Sequence, residues 1–337
     1  MSIAFAMGVG TQNKKGQWLE VFYQKPVYQP SADLIAAAKS VGYSGGNAAI
    51  AISPAQLADL AGQLNGEQAE LAKKLSASKK PCVLTVLETD EQPTSTPEVY
   101  LKLQLLSQRL VKPHGIILAG MFGLLPNVAW TNKGAIDLDE LADAQLEARI
   151  NGELLEVNSV DKFPKMTDYV VPKGVRIADT ARVRLGAYVG EGTTIMHEGF
   201  INFNAGTAGT SMVEGRISAG VFVGEGSDLG GGCSTMGTLS GGGNIIISVG
   251  KNSLIGANAG IGIPLGDRCT VESGLYITAG TKVALLDDKN NLVEILKARD
   301  LAGKNDLLFR RNSQTGAVEC KTNKTAIELN NELHANN

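Results

Sequence analysis

The sequence predicts a mainly-β protein organised around a parallel β-helix of triangular cross-section. Three observations predict it. Branched aliphatic residues recur every six positions: at Val171, Ile177, Val183, Val189, Ile195 and Ile201, then at Ile217, Val223 and Leu229, then at Val249, Ile255 and Ile261, and last at Val271, Ile277 and Val283. Four residues after each member of the first series stands a mostly small residue: Val175, Ala181, Ala187, Thr193, Gly199 and Ala205. Of the 40 glycines, 25 fall between Gly174 and Gly280, the density that a turn-rich solenoid needs.

A period of six matches neither the 3.6 of a helix nor the simple alternation of a strand. It fits a short strand and a tight turn, with one branched aliphatic pointing inward per side. Three sides make a coil of about 18 residues, and stacked coils pair as parallel strands roughly 4.8 Å apart. The small residues fit the corners, and glycine serves turns that need positive φ or close backbone approach. The period slips between Ser211 and Gly220 and breaks over Thr235–Ser248, TMGTLSGGGNIIIS. An extruded loop is expected at 235–248, and loops on a rigid scaffold often carry function.

The flanks read differently. Residues 1–165 are expected to form an α/β domain, 166–284 the β-helix and 285–337 a C-terminal extension. In the first region a strand is predicted over Trp18–Tyr23 after a turn at Lys14–Gly16, and Ser31 caps a short helix through Lys39. Ser53-Pro54-Ala55-Gln56 is a capping box with proline at the first helical position. Its helix is expected to run on to Leu75, with Gly62 and Gly66 as weak points. Strands follow at Cys82–Leu87, Gly115–Ala119 and Val128–Thr131, and helices from Ser95 to Leu110 and over Asp137–Arg149. Val157–Lys173 leads into the repeats. Beyond them, FRRNSQTGAVECK reads as a hairpin turning at Ser313–Gly316, and Thr325–Leu333 as a terminal helix.

Composition narrows the function. A net charge of -3 argues against a general nucleic-acid partner. No apolar stretch approaches 18 residues, so no membrane span is expected. The N-terminus has no basic segment ahead of a long apolar run, so no signal peptide is expected either. Cys82, Cys233, Cys269 and Cys320 are scattered without a CxxC, which points away from zinc and disulfides and towards a reducing cytoplasm. The phosphate-loop and dinucleotide-binding glycine patterns are absent, so ATP and NAD sites have no support.

Longer strings are more specific than the repeats. They are MHEGFINFNAGT (Met196–Thr207), SMVEGRISAG (Ser211–Gly220), GGGCSTMGTLSGGGN (Gly230–Asn244), GANAGIGIPLGD (Gly256–Asp267), VESGLYITAGTKV (Val271–Val283) and LLFRRNS (Leu307–Ser313). Together they resemble the tetrahydrodipicolinate N-succinyltransferase family, in its longer form, densely over the repeats and C-terminal segment and only in outline before them. The resemblance implies a left-handed β-helix; the spacing does not show the hand, which is opposite to the usual crossover rule. It implies transfer of a succinyl group from succinyl-CoA to the amine of ring-opened tetrahydrodipicolinate, giving N-succinyl-2-amino-6-oxopimelate in diaminopimelate and lysine biosynthesis. It also implies a homotrimer with sites between neighbouring prisms.

Acyl transfer from a thioester to an amine needs a proton acceptor, donors for the oxyanion and a hold on both reactants. Glu214, in MVEGR, is the candidate central residue. Alone, a glutamate on a solenoid is most often a solvated corner charge; within this string it reads as functional. The residues leave two roles open, general base or nucleophile forming an acyl-anhydride, and the resemblance favours the second. Arg216, two residues on, is expected on the same side as Glu214, where a guanidinium binds carboxylates bidentately. The alternative is a structural salt bridge. Gly231 and Ser234 offer free backbone N–H groups and a hydroxyl, or else a plain glycine turn. The resemblance places cofactor contacts at Ala257, Glu272, Ser273 and Gly280. Lys297, Arg310 and Arg311 form a basic cluster suited to the CoA phosphates, extended by Asn312 and Ser313. The resemblance further implies a magnesium ion at Glu198 on a threefold axis, although Ala181 stands where an acidic partner is expected.

Rival readings use the same prism. An acetyltransferase would employ His197 as base. A γ-class carbonic anhydrase needs several zinc-binding histidines, and only His197 lies among the repeats. A non-catalytic scaffold would leave MVEGR, the interrupted coil and the basic cluster without a role.

Overall fold

The structure is a computed structural model that describes residues 3–237 and 245–322. Half of the expected extruded loop, residues 238–244, and the helix expected at Thr325–Leu333 lie outside the described residues. The chain divides into two compact units. One runs to Leu105 and resumes over Gly115–Pro164, and the other takes Leu106–His114 and the chain from Lys165 on.

The first unit carries an antiparallel sheet of β1 (Ala4–Gln12), β2 (Trp18–Phe22), β3 (Val27–Tyr28), β4 (Ala48–Ile52) and β5 (Cys82–Leu87), ordered β2-β1-β5-β4 with β3 also on β1. Helices α1 (Ala32–Ser40), α2 (Pro54–Gln63) and α3 (Gly66–Leu75) bring Ala38, Leu57, Leu60, Leu71 and Ala72 into one core with Phe5, Met7, Leu84 and Val86. The expected caps form: Ser31 accepts from Leu34 N, and Ser53 and Gln56 make the reciprocal box. The helix expected to reach Leu75 is two helices. Leu64 is extended and Gly66 has φ +59°, so the chain turns there before α3 begins. Helix α4 (Thr96–Ser107) supplies Gln104, which is buried. Its amide accepts from Tyr23 N and donates to Val21 O, both at 2.8 Å, satisfying main chain at an edge that no strand pairs.

Gly115–Ala119 is not a strand, contrary to the expectation. Its backbone is claimed by side chains: Ile117 N donates to Asp90 Oδ1 at 3.0 Å, and the fully buried Lys102 donates to Ile117 O at 2.8 Å and Asp90 Oδ1 at 3.0 Å. After α5 (Met121–Leu124), β6 (Val128–Thr131), β7 (Gly134–Asp137) and β8 (Val157–Asp161) form a three-stranded sheet beside α6 (Leu138–Ile150), whose N-cap is Asp137.

The second unit is the left-handed parallel β-helix. Face one stacks Arg176–Ile177, Thr194–Ile195, Met212–Val213, Asp228–Leu229, Leu254–Ile255 and Thr270–Val271, which open coils one to six. Face two stacks Phe200–Ile201, Arg216–Ile217, Ser234–Thr235, Gly260–Gly262 and Tyr276–Thr278. Face three stacks Ala187–Val189, Ala205–Thr207, Phe222–Val223 and Ser248–Val249. Every pairing among these strands is parallel. The hexad residues from Val183 to Val283 are buried, each at 3% exposure or less, and form one continuous core. Before them Ile177 is half-buried against that core, and Val171 is 72% exposed, because it precedes the first ladder strand and no coil covers it.

The phase also runs further than the aliphatic residues suggest. Thr207 and Val213 occupy the two inward sites after Ile201, both fully buried. Thr207 keeps its hydroxyl satisfied on Thr193, Oγ1 to Oγ1 at 2.7 Å. The slip is therefore a single short step, Val213 to Ile217, that leaves three residues at the corner instead of five. Leu106–His114 lies along the corner between faces two and three. Ser107 Oγ accepts from Gly186 N, Arg109 donates to Val189 O and Lys173 O, and His114 Nε2 lies 2.7 Å from Gly220 O.

After coil six the chain forms an antiparallel hairpin, Lys282–Leu286 with Leu292–Lys297, and then the expected one, Leu307–Arg311 with Val318–Thr322. Leu307–Arg311 continues face one, pairing in parallel with Thr270–Val271.

The hexad pattern treats Ile217 and Val171 alike, and the structure separates them. Ile217→Ala is expected to cost about 2–5 kcal/mol by chemical denaturation, and Val171→Ala less than about 0.5 kcal/mol. Equal losses would contradict the inward and outward placement.

Candidate active site

The corner joining face one to face two carries most of the residues singled out from the sequence. In coil two it spans Met196–Phe200 and in coil four Gly230–Ser234. In coil three it is only Glu214, Gly215 and Arg216. The ladder still closes around the short corner: Glu214 N donates to Leu229 O at 2.8 Å, and Arg216 N to Cys233 O at 2.9 Å. The short corner lies under a full-length one, so the half-buried Glu214 side chain comes up beneath Gly231. A Cβ on Gly231 would stand 3.5 Å from Glu214 Oε2.

Gly215 is required by what sits behind it. A Cβ there would lie 2.4 Å from Cys233 Sγ. Cys233 is fully buried, and burial pushes its thiol up to about 12; Arg216 pulls the other way and Glu214 adds to the rise. It is therefore a neutral packing residue at physiological pH, which leaves Glu214 as the candidate reactive group of this corner.

Neither the Glu214 carboxylate nor the Arg216 guanidinium has a side-chain partner among the described residues. The structural salt bridge of the alternative reading is thus not formed between them, and both groups remain available to ligands. Arg216 is exposed on face two and pairs in register with Ser234, so these two outward residues are neighbours. Along the same edge the corners of coils five and six bring Ala257, then Glu272 and Ser273. Asn258 N donates to Gly231 O and Gly274 N to Ala257 O, at 2.9 and 2.8 Å. The edge thus collects Glu214, Gly231, Ala257, Glu272 and Ser273, with Arg216 and Ser234 on the adjoining face.

The C-terminal strands continue that line. Arg311 N donates to Glu272 Oε2 at 2.6 Å. Lys297 lies on the outer strand of the first hairpin, opposite Lys282, a second cation that sequence reading passed over. The signal was there: VALL and LVEIL flank DDKNN, an alternation either side of a turn. Gly280 lies in the turn after face two with open space around its Cα. Arg310 is placed differently from its expected neighbours. Its guanidinium is held by Glu319, Nε at 2.9 Å and Nη2 at 2.8 Å, and Asn312 Nδ2 donates to the other oxygen at 2.7 Å. Arg310 and the Asn312 amide thus close the hairpin, while Ser313 is exposed at its turn.

Glu198 sits at the corner of coil two. One carboxylate oxygen takes Arg182 Nη2 at 2.9 Å, and the other lies 2.8 Å from His197 Nδ1. Asp179 adds a second carboxylate to the same guanidinium at 3.5 Å. Among the described residues no three His, Cys, Asp or Glu side chains converge on a metal position. Within one chain Glu198 is engaged by Arg182 and His197, and no step here depends on a divalent cation.

Comparison with known proteins bears on the family and the fold. Residues 125–165 match the family described as tetrahydrodipicolinate N-succinyltransferase middle, and residues 246–279 match the hexapeptide repeat of succinyl-transferase. The chain is 72% identical over 338 residues to a 2,3,4,5-tetrahydropyridine-2,6-dicarboxylate N-succinyltransferase of Pseudomonas putida, covering 99% of this chain and 98% of that one. It is 63% identical over 340 residues to the protein of that name in Vibrio cholerae, covering 99% of each. A crystal structure from Campylobacter jejuni, described as a 2,3,4,5-tetrahydropyridine-2-carboxylate N-succinyltransferase, superposes with a TM-score of 0.88 at 34% identity. It covers 97% of this chain and 94% of that chain.

Glu319 makes the hairpin sensitive to acid. Asn312 first, and Arg310 with it, hold its carboxyl below the usual carboxylate range against the opposing effect of burial. A lowered folded value means the stabilisation is complete above the ordinary glutamate value of about 4.3 and is lost as pH falls through the folded one. Glu319→Gln is expected to flatten the acid limb of thermal stability below about pH 5, with the two profiles parallel above it. Superimposable profiles for the two proteins would contradict this.

Proposed function

The chain belongs to the tetrahydrodipicolinate N-succinyltransferase family, and from that premise we propose that Glu214 is the residue on which its acyl transfer turns. The reaction moves the succinyl group of succinyl-CoA to the amine of ring-opened tetrahydrodipicolinate, the succinyl-transfer step of diaminopimelate and lysine biosynthesis. The product is N-succinyl-2-amino-6-oxopimelate. One observation carries the assignment of the residue: the shortened corner of coil three presents a carboxylate under Gly231 that no side chain among the described residues has claimed.

Two routes use that carboxylate with the same overall balance. In the first, Glu214 takes the proton of the amine as nitrogen attacks the thioester carbonyl; the carbon–sulfur bond then breaks and the proton passes to the departing thiolate. In the second, a Glu214 oxygen attacks the thioester first and expels the thiolate. The resulting mixed anhydride is opened by the amine, whose proton ends on the thiol. In both, Arg216 holds a carboxylate of succinyl or acceptor, and the Ser234 hydroxyl and main-chain N–H groups about Gly231 donate to the oxyanion. The CoA arm runs along Ala257, Glu272, Ser273 and Gly280, and Lys297 and Arg311 take its phosphates, beside Arg310, Asn312 and Ser313.

His197 as base is the weaker reading. It lies one corner away from Glu214, 73% exposed, with Nδ1 already on Glu198. Further parts of the proposal are a homotrimer with its sites between prisms and a cytoplasmic setting. The four cysteines, all free and buried, support a reducing compartment, and no helix among the described residues is long and apolar enough to cross a membrane. The division into an α/β domain over 1–165, a β-helix over 166–284 and an extension over 285–337 belongs to the same proposal. Glu198 serves in it as a carboxylate balanced by Arg182.

Thiol release from succinyl-CoA in the presence of tetrahydrodipicolinate tests the assignment. Glu214→Ala is expected to lower kcat/KM by about 10²-fold or more. His197→Ala is expected to retain most activity; the reverse order of losses would favour the histidine reading. Without acceptor, the anhydride route releases one equivalent of thiol per site in a burst and the base route releases none. Light scattering is expected to report three times the 35.3 kDa chain mass, and a monomer would refute the trimer.

A further inference from the structure

Face two carries a row of outward residues that the reaction as described uses only in part. In parallel register, Phe200 pairs with Arg216, Arg216 with Ser234, Ser234 with Gly260, and Gly260 with Tyr276. The next outward site of coil five is Gly262, in register with Thr278. Coil five therefore shows face two only glycine, and its neighbours explain why. A Cβ on Gly260 would fall 2.1 Å from Tyr276 Cε2, 2.3 Å from Cδ2 and 2.5 Å from Cζ. A Cβ on Gly262 would fall 2.6 Å from Met236 Sδ.

Tyr276 thus lays its ring over the main chain of coil five instead of projecting from coil six. Gly260 is buried beneath it, yet Tyr276 itself remains 45% exposed. One side of the ring is spent on glycine and the other is open. Its hydroxyl has no hydrogen bond among the described residues. The half-buried thioether of Met236 lies across Gly262 from the side of coil four. The result is a shallow apolar floor of ring, backbone and thioether, two ladder steps or roughly 10 Å from Arg216.

We propose that Tyr276 is a binding residue for the acyl-CoA arm, its ring forming the platform over which the pantetheine chain passes between the phosphates and the thioester. The inference rests on the reading above, in which the acyl end lies at Glu214, Arg216 and Ser234 and the phosphate end at Lys297 and Arg311. A chain joining those ends must pass coils five and six, where the glycine pair removes side chains that would lift it away. An amide-and-methylene chain suits an aromatic face, which gives contact area without needing charge.

The test separates the arm from the nucleotide. Binding of CoA and of adenosine 3′,5′-bisphosphate, which lacks the arm, is measured by calorimetry on the full chain. Tyr276→Ala is expected to weaken CoA about tenfold and leave the bisphosphate unchanged, while Tyr276→Phe, which keeps the ring, binds CoA like the parent. Gly260→Ala, which cannot coexist with the ring in its place, is expected to follow Tyr276→Ala. Undiminished CoA affinity in Tyr276→Ala, or an equal loss for both ligands, would overturn the proposal. If instead the parent protein binds neither ligand, the underlying reading of the cofactor path fails, and that result is distinct from a failure at Tyr276.

Discussion

The close approach of each coil's backbone to the next is the constraint on which the rest of the structure depends. At the corner before face one, a Cβ on Gly224 would meet the carbonyl carbon of Gly250 at 2.6 Å, and one on Gly250 would meet that of Gly266 at 2.3 Å. Side chains are excluded at Gly224 and Gly250, so ladder bonds close at normal length there and the inward aliphatics stack as one core. Parallel pairing at this spacing fixes which residue lies over which, and nothing in the coil can slide without breaking a whole face of hydrogen bonds. A prism built this way is rigid, and rigidity is what an acyl-transfer site requires of its frame.

The site arises where a coil departs from the common length. Three corner residues in coil three, against five in its neighbours, draw Arg216 into register with Ser234 and leave Glu214 beneath an overhanging glycine. A buried thiol occupies the space behind, held neutral by burial. Coil four is lengthened on the other side, between Thr235 and Val249, and coil five is reduced to glycine on face two. Three successive coils are irregular in three different ways, and the candidate ligand surface runs across all of them.

The frame was largely legible in advance because it depends on local and periodic signals. Ser53 and Gln56 make their capping box with residues three apart, and the hexads fall inward for as long as coils exist to cover them. What failed was non-local. Gly115–Ala119 carries an apolar strand-like string, yet Asp90 and Lys102 take its main-chain groups. Val171 keeps the period but lies before the first coil. Arg310 and Arg311 are adjacent in sequence and look alike, but alternation along a strand sends one guanidinium to Glu319 and frees the other from that pair.

The sequence by itself determined the repeat, the class of fold, the family and a short list of candidate residues for its chemistry. Those are properties of spacing and of motif strings that survive without coordinates. Only the tertiary structure decided that the slip is a shortened corner, that Glu214 lies under Gly231, that Arg216 and Ser234 are neighbours, and that Tyr276 lies down over Gly260. The physical reason is register. Residues 16 to 26 positions apart become adjacent only when successive coils hydrogen-bond in parallel. The offset of each pairing is set by every corner before it, and no single stretch of sequence records that.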